Sequence, residues 1–383
     1  MYFLLLSEVL PDPNKTGGQI VLYRHLVERK FMNFQVIDSR QIIARRKWKK
    51  LISAFFHRLE KTRLHSYVII FKPLYDLFDF DDAMIENYSH DKPAFILTVA
   101  HGRGGCRALK LAQHLNVPLV TIFHDYYPYS IISNKIFRLF WTWETQRLYR
   151  SSKLVFVITE AMQKRLGNHP NAHILAPIPS DFMANSPKSS TANVDGKNII
   201  LYAGLCGGAY LTMLHHMIRA VDSIPACEFH MVGADSALFN NRADDHLVVH
   251  GFVEEERLNQ LLTNAGFLLV LIPFSHAREH FSTHFPSKLI EYAKYRKPII
   301  IWGPSYSTAA CWGIENHSAI VITQNDQKVL KETIVKIFSD PELQQKVSYN
   351  AYRYFEENWH PDLIHRIFTT KIMQLTTKTV EKD

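Results

Sequence analysis

The stretch Phe281-Ser-Thr-His-Phe-Pro-Ser-Lys-Leu-Ile-Glu-Tyr-Ala-Lys-Tyr-Arg-Lys-Pro-Ile-Ile-Ile-Trp302 decides the fold of the second half of this chain. A polar loop leads to Pro286, whose fixed φ and missing N–H suit the first turn of a helix. The apolar side of that helix is formed by Leu289, Ile290 and Ala293. Residues 299–301 then predict a strand buried on both faces. The stretch therefore predicts a loop, a helix and a strand of a parallel α/β sheet.

Glu291 is expected about one turn inside this helix, partly exposed to solvent. A carboxylate there can accept two hydrogen bonds from a vicinal diol, while the helix N-terminus offers free N–H groups to an anion. The alternative is a capped surface helix in which Glu291 is simply solvated. The residues alone leave both interpretations open.

Residues 285–292, Phe-Pro-Ser-Lys-Leu-Ile-Glu-Tyr, and the following Lys-Pro-Ile-Ile closely resemble the donor-binding segment of GT-B glycosyltransferases. The resemblance is strongest to the retaining enzymes of glycosyltransferase family 4. It implies that Glu291 holds the ribose hydroxyls of a nucleotide sugar, and that the loop before the helix faces the diphosphate and the sugar. The donor-binding residues it implies in this stretch are Thr283, His284, Phe285, Pro286, Ser287 and Glu291.

Length and composition describe a globular protein of two domains. The chain has 383 residues, more than one hydrophobic core usually organises. Of these residues, 47% are hydrophobic and 21% are charged. Its longest apolar runs are far shorter than the ~18 residues of a membrane span. The N-terminal Tyr2–Leu6 reads as a strand and not as a signal peptide, and the four cysteines lack metal or disulfide spacing. We expect a cytoplasmic protein.

Charge is distributed unevenly along the chain. Residues 1–180 contain 25 Lys and Arg against 14 Asp and Glu, a net charge of +11, whereas residues 181–383 have a net charge of −3. The basic half could face nucleic acid, an anionic lipid surface or an acidic substrate. No helix-turn-helix, zinc-finger or RNA-binding signature favours nucleic acid.

Residues 44–63 concentrate this positive charge, with eight basic residues and one acid. Their apolar residues recur at the spacing of one helical face, and the opposite face is almost wholly cationic, which is typical of a helix lying in a membrane surface. The alternative is an ordinary helix that covers the sheet and has a solvated basic back. The residues that we expect to contact a membrane or acceptor are Arg45, Arg46, Lys47, Trp48, Lys49, Lys50, Phe55 and Phe56.

Two junctions between strands and helices in the first half carry further candidates. Gly17 and Gly18 follow a predicted strand, and glycines there let the backbone approach an anion. Family 4 enzymes have a similar Gly-Gly opening beside the donor diphosphate, although a plain tight turn is the other interpretation. His124 and Asp125 follow the predicted strand 117–123, at the strand end where open α/β sheets bind ligands. The resemblance implies that they line the acceptor and sugar pocket.

Strands and helices alternate through both halves, which predicts α/β architecture. With the resemblance, this gives the GT-B fold: two Rossmann-like, doubly wound parallel-sheet domains facing a central cleft. We expect an acceptor domain over 1–180, a linker over 181–197 and a nucleotide-sugar domain over 198–355. We expect residues 356–383 to form a C-terminal helix that crosses back to the first domain.

A nucleotide-sugar transferase must stabilise the negative charge that develops on the departing diphosphate. GT-B sites do this with helix N-termini, glycine amides and basic side chains, so no cofactor and no metal are expected. Lys288 is the first basic candidate and Arg278 the second. The catalytic candidates are then His124, Asp125 and Lys288. The resemblance also implies that the leaving phosphate accepts the proton of the acceptor hydroxyl.

The chain departs from the family pattern at two places. Thr283 stands where the family usually has a second glutamate, and Gly204-Leu-Cys-Gly-Gly-Ala209 replaces a segment with a basic diphosphate contact. The amides of Gly207 and Gly208 are candidate substitutes, with Thr283 or His284 meeting the sugar. These departures favour the rival hypothesis of a catalytically silent GT-B subunit or scaffold.

The expected activity is that of a retaining, hexosyltransferase-like enzyme that uses a nucleotide sugar. Its acceptor would be a glycan or lipid-linked molecule in cell-surface polysaccharide or glycolipid synthesis, on the cytoplasmic face of a membrane. Other enzyme hypotheses are a sugar-nucleotide epimerase and a glycogen-type synthase. The basic amphipathic segment 44–63 argues against both, since neither needs a membrane.

Overall fold

The computed structural model describes residues 2–15, 17–39, 58, 88, 91–130, 135–182, 197–204, 206–233, 239, 246–274 and 278–380. Nearly all of the predicted basic helix at 44–63 and most of the predicted linker at 181–197 lie outside these residues. The chain divides into two units. Unit 1 comprises residues 1–177 and 364–383, and unit 2 comprises residues 178–363.

Unit 1 contains a six-stranded parallel sheet of order β2-β1-β3-β4-β5-β6. Its strands are β1 (Phe3–Ser7), β2 (Phe34–Asp38), β3 (Ile96–Val99), β4 (Leu119–Phe123), β5 (Leu154–Val157) and β6 (Ala172–Ile174). Its helices are α1 (Gly18–Tyr23, continued by a π-helical turn Arg24–Glu28), α2 (Gly104–Leu115), α3 (Tyr127–Ser130), α4 (Lys135–Ser151) and α5 (Glu160–Leu166). Strands β1, β3, β4 and β5 are buried along their whole length. This agrees with their continuous apolar sequence, because a parallel sheet covered on both faces has no polar side.

Unit 2 contains a second six-stranded parallel sheet, of order β12-β11-β10-β7-β8-β9. Its strands are β7 (Asn198–Ala203), β8 (Cys227–Val232), β9 (Leu247–Val249), β10 (Phe267–Leu271), β11 (Ile299–Trp302) and β12 (Ile320–Ile322). Its helices are α6 (Ala209–Val221), α7 (Glu255–Asn264), α8 (Arg278–Phe281), α9 (Ser287–Ala293), α10 (Thr308–Glu315), α11 (Gln327–Phe338) and α12 (Pro341–Tyr354, followed by a π-helical turn Phe355–Trp359). The predicted strand of the opening stretch is β11, and it is fully buried.

The two sheets reverse their strand order at equivalent places. β1 pairs with β2 on one side and β3 on the other, and β7 pairs with β8 and β10 in the same way. Ligands of open α/β sheets bind at the carboxyl ends of strands where the order reverses. This topology places the loops after β1 and β7 at the switch point of their respective sheets.

The chain ends in helix α13 (Pro361–Val380), which from Ile364 onward belongs to unit 1. The ring of Phe368 lies 4.5 Å from that of His25 and 5.4 Å from that of Phe156, measured between centroids. Nδ1 of His25 is 3.2 Å from Nδ1 of His365. Burial, followed by His365, holds the pKa of His25 well below its usual value. An uncharged imidazole therefore helps to fix the terminal helix against unit 1. None of the helices in the described residues is long and apolar enough to cross a bilayer.

Candidate functional site

Helix α9 carries the residues on which the sequence-based hypothesis depends. Pro286 is its N-cap, with φ −71° and ψ 119°, so the helix begins at Ser287, one residue later than a first-turn proline predicts. The hydroxyl oxygen of Tyr292 accepts a hydrogen bond from Ala203 N at 3.0 Å. This bond ties α9 to the carboxyl end of β7. The first turn of α9 consequently lies beside the loop between β7 and α6.

Lys288 projects from α9 onto that loop. Its Nζ is 4.3 Å from the ring centroid of Tyr202, a fully buried residue of β7. A Cβ atom added to Gly204 would overlap this same Nζ. The ammonium thus occupies a notch between an aromatic ring and a glycine, and a larger residue at 204 would displace it.

The environment of Lys288 disfavours the charged form of its side chain. Burial lowers the pKa of its ammonium from 10.5 to about 8, and the nearby thiol of Cys206 opposes this shift only in part. Within the described part of the chain, no carboxylate forms an ion pair with Lys288. A partly buried cation without a counter-charge favours an anionic ligand. Lys288 can therefore bind and stabilise a phosphate oxygen.

The loop after β7 also presents backbone donors. Gly208 is the N-cap of α6, with φ 58° and ψ −133°, and it has no side chain that could cap the first turn. Cβ atoms added to Gly207 or Gly208 would have no neighbour within 4 Å. Within this 13-residue helix, the N–H groups of Tyr210 and Leu211 already donate to the carbonyl oxygens of Gly207 and Gly208, at 3.3 and 3.2 Å. The donors suited to an anion are therefore the preceding amides of Gly207, Gly208 and Ala209. The structure therefore brings Gly207, Gly208 and Lys288 to one end of the unit 2 sheet, as the sequence predicts.

Glu291 is partly exposed, with 24% of its side chain accessible, and it is also held in place. Its Oε1 accepts a hydrogen bond from Ser180 N at 3.0 Å. Its Oε2 lies 2.6 Å from Nζ of Lys294, whose side chain is wholly buried. Lys294 also donates to Ser180 Oγ. Sequence reasoning missed Ser180 and Lys294, although a lysine three residues after a glutamate in a helix is a usable signal for this pairing.

The loop before α9 contains both exposed and buried candidates. Arg278 is exposed, and its guanidinium carbon lies 5.0 Å from the ring centroid of Tyr306. Thr283 is only 3% exposed, and its hydroxyl donates to the carbonyl oxygens of Glu279 and His280 at 3.0 and 3.1 Å. These bonds satisfy carbonyls at the end of the short helix α8. The role of Thr283 at the sugar stays a prediction.

His284 and Phe285 follow in the same loop. The ring of His284 stacks on that of His280, with centroids 5.0 Å apart. The ring of Phe285 packs edge-on against Trp312 and Trp359, at 6.5 and 5.4 Å between centroids. The side chain of Phe285 therefore supports the loop from beneath, which leaves its backbone as the part available to a ligand.

The candidates of unit 1 lie at the switch point of their own sheet. A Cβ added to Gly18 would be 2.6 Å from Nδ1 of His124, so the glycine loop and the end of β4 meet there. Gly17 has φ 66°, a conformation that favours glycine, and open space around it. Asp125 follows His124 and is partly buried. The candidate membrane residues Arg45 to Phe56 lie outside the described residues.

The second half of the chain matches a known protein family. Residues 187–354 match the family model described as glycosyl transferases group 1. This part of the chain is a group 1 glycosyltransferase domain. The group 1 domain contains β7 to α12, and therefore Gly207, Gly208, Lys288 and Glu291. No curated protein sequence gives a significant match to the chain.

Solved structures extend the likeness to the whole chain. Sucrose-phosphate synthase from Thermosynechococcus elongatus is 13% identical, with a TM-score of 0.66, and the match covers 98% of this chain and 99% of that one. Anabaena HepE in complex with UDP and glucose is 12% identical, with a TM-score of 0.65 and coverage of 98% and 100%. A glycosyltransferase from Rickettsia africae is 13% identical, with a TM-score of 0.60 and coverage of 100% and 99%. At these identities the likeness shows the fold, and the predicted GT-B fold is confirmed.

Tyr202 and Gly204, like Ser180 and Lys294, are residues of the site that sequence reasoning did not identify as candidates. Gly204 was noticed only as part of a segment that departs from the family pattern. An aromatic residue and then a glycine at the end of a buried strand is a weak signal, because tyrosine and glycine are both common at such junctions. Their contact with Lys288 depends on a helix more than 80 residues later in the sequence.

Proposed function

We propose that this glycosyltransferase moves a sugar from a nucleotide-sugar donor to a glycan or lipid-linked acceptor, with retention of configuration. The arrangement that supports this most is the Lys288 ammonium in its notch between Tyr202 and Gly204. The notch lies next to the uncapped N-terminus of α6, and Glu291 lies one turn further along α9. Together these groups offer a cation, backbone donors and a diol acceptor within one domain.

Each group has a distinct part in the proposed reaction. Lys288 and the amides of Gly207 and Gly208 stabilise the charge that develops on the diphosphate as the glycosidic bond breaks. Glu291 accepts hydrogen bonds from the ribose hydroxyls. The leaving phosphate takes the proton of the attacking hydroxyl, so the protein has no separate general base. Gly17, Gly18, His124 and Asp125 are the candidates within unit 1 for contact with the substrates.

The donor class draws support from the structural neighbours. The HepE structures contain UDP, UDP with glucose, and UDP-glucose. A nucleoside diphosphate sugar is therefore the first class of donor to test in this chain. We further propose that the reaction needs no metal ion and no cofactor, because the amides and Lys288 can supply the positive charge that a metal would bring.

The experiment that tests the donor is a screen of nucleoside diphosphates by thermal stabilisation, followed by hydrolysis of the matching nucleotide sugars. One nucleoside diphosphate should raise the melting temperature in proportion to the logarithm of its concentration, since it binds the folded state. NMR of the first product formed should show the anomer of the donor. Activity should persist in EDTA. Lack of stabilisation by every nucleoside diphosphate would support the silent-subunit alternative.

We propose that the acceptor is bound to a membrane and belongs to cell-surface polysaccharide or glycolipid synthesis. The support is the basic amphipathic sequence 44–63 in a half of the chain with a net charge of +11. Replacing Arg45, Arg46, Lys47, Lys49 and Lys50 with glutamine should weaken binding to anionic vesicles and leave nucleoside diphosphate binding unchanged. Wild-type protein that ignores such vesicles at low salt would point to a soluble acceptor.

A further inference from the structure

One helix of unit 1 presents an apolar surface that the core does not use. Most large apolar side chains that are exposed in the described residues occur singly. Helix α4 differs, since Leu139 is 74% exposed and Trp143 is 58% exposed. They are four residues apart and so lie on the same face of the helix. Their neighbour Trp141 points inward and is only 7% exposed. Helix α4 therefore carries large apolar side chains on its solvent-facing side as well as on its core-facing side.

Aromatic and cationic groups extend this surface. The ring of the half-buried Phe140 lies 6.4 Å from that of Trp143, measured between centroids. The guanidinium carbon of Arg147 lies 5.4 Å from the Trp143 ring centroid. We call Leu139, Phe140, Trp143 and Arg147 the α4 face. It combines an apolar patch with an indole ring and an adjoining positive charge.

The acid of α4 is buried and pairs with Arg147 of this face. Glu144 is 2% exposed, accepts from Arg147 Nη2 at 2.8 Å and contacts Cys106 Sγ at 3.2 Å. Among the described side chains of α4, the exposed ionic group is Arg150, which is basic and lies seven residues after Trp143, on the same side of the helix. On the neighbouring helix α2, burial and then Arg147 lower the pKa of Lys110. Positive charge exceeds negative charge in this region.

These features suit a lipid surface better than a protein partner. Tryptophan prefers the boundary between headgroups and acyl chains, and arginine pairs with lipid phosphate. A stable protein interface buries about 800 Å² on each partner, more than two or three exposed side chains supply. We propose that the α4 face inserts into the headgroup layer of an anionic membrane, with Arg150 contacting phosphate. The proposal shares its class of partner with the proposed function, and it involves residues separate from the segment 44–63.

The test compares matched variants on vesicles of phosphatidylcholine with and without phosphatidylglycerol. Leu139→Ser with Trp143→Ser should reduce binding to the anionic vesicles at least fivefold at moderate salt. The control is Phe252→Ser, which removes an 88% exposed apolar side chain from unit 2 and should bind like wild type. Both variants should keep their melting temperatures and their response to nucleoside diphosphate, because the replaced side chains are exposed.

Brominated lipid supplies a second measurement that does not depend on affinity. Trp143 is one of six tryptophans, so the quenching by lipid brominated near the headgroup should be clearly smaller for Trp143→Phe than for wild type. Equal quenching of both proteins, or equal vesicle binding by wild type and the double serine variant, would overturn the proposal. So would equal binding of wild type to vesicles with and without phosphatidylglycerol. Because these measurements use no donor, failure of the donor chemistry would leave them unchanged.

Discussion

In each unit, a glycine that follows the first strand of the sheet lies against a candidate functional side chain. The two side chains differ. In unit 1 Gly18 lies against the imidazole of His124, and in unit 2 Gly204 lies against the ammonium of Lys288. The lysine belongs to the half of the chain with a net charge of −3, where it is a locally unpaired cation, whereas the histidine belongs to the half with +11. This difference motivates our proposal of a division of roles, in which unit 2 stabilises a diphosphate with one placed charge and unit 1 binds the acceptor.

Replacing Lys288 with alanine tests this division most strongly. We expect turnover to fall about 100-fold, as for loss of one preorganised donor at a developing charge, with a smaller loss of nucleoside diphosphate affinity. The reason is that charge on the diphosphate grows toward the transition state. Steady-state kinetics and calorimetry measure the two effects. Lys331→Ala, in α11, serves as the charge control. Equal losses in turnover and affinity would show ground-state binding alone.

Substituting a glycine in each unit distinguishes the roles proposed for the two units. Gly204→Ala should displace the Lys288 ammonium and lower turnover about 30-fold, because small misplacements of a catalytic group are costly. Gly251→Ala is the control, since Gly251 has φ 68° and no neighbour within 4 Å of an added Cβ. Gly18→Ala should move His124 instead and raise the KM of the acceptor. Because Gly18 is also a candidate for contact with the donor diphosphate, we expect some loss of donor affinity, but less than Gly204→Ala causes. If Gly18→Ala weakens donor binding as much as Gly204→Ala does, the division between units is wrong.

Replacement of Glu291 should affect both binding and stability. Glu291→Ala removes hydrogen bonds to a diol, which at about 1.4 kcal/mol corresponds to a tenfold loss of nucleoside diphosphate affinity. It also leaves Lys294 buried with Ser180 alone, so we expect a loss of about 1–3 kcal/mol in the free energy of unfolding. The sequence alone predicts an intact fold, because a partly exposed helix carboxylate contributes little to stability.

Glu291→Gln and Lys294→Met distinguish these two effects. The glutamine keeps an acceptor for Ser180 N and should bind nucleoside diphosphate better than the alanine variant does. Lys294→Met removes the buried ammonium and should leave nucleoside diphosphate affinity near that of wild type. Denaturant titration measures stability. Wild-type affinity in purified Glu291→Ala would refute the ribose role.

The pH dependence gives the smallest effect. Burial lowers the pKa of Lys288 to about 8, so the ammonium is present below this pH and is lost as the pH rises through it. The kcat/KM for the donor reports the free enzyme and should fall about fourfold between pH 7 and 8.5. Lys288→Arg keeps its charge across this range and should give a flat profile. A wild-type profile that stays flat to pH 9 would contradict the assigned role.

Local sequence was sufficient to predict the secondary structure elements. It was insufficient to predict which side chains contact one another. The apolar runs of β1, β10 and β11 predicted buried strands, and the spacing of Leu289, Ile290 and Ala293 predicted the buried side of α9. All are buried in the structure. By contrast, Thr283 looked like a polar residue available to a sugar, and the structure engages its hydroxyl with two carbonyls. Phe285 likewise looked like part of a binding loop, and its ring packs on two tryptophans that lie further along the chain.

The sequence by itself determined the α/β class, the existence of two sheets, and the identity of Lys288 and Glu291 as candidates. These depend on periodicity, proline and glycine positions, and a local motif, all of which act over a few residues. Only the tertiary structure decided that Lys288 lies between Tyr202 and Gly204, and that Ser180 and Lys294 hold Glu291. Parallel strands are joined by crossover connections, so residues far apart in sequence meet at the carboxyl edge. The pKa of Lys288 and the hydrogen bonds of Glu291 are therefore set largely by residues that are distant in the sequence.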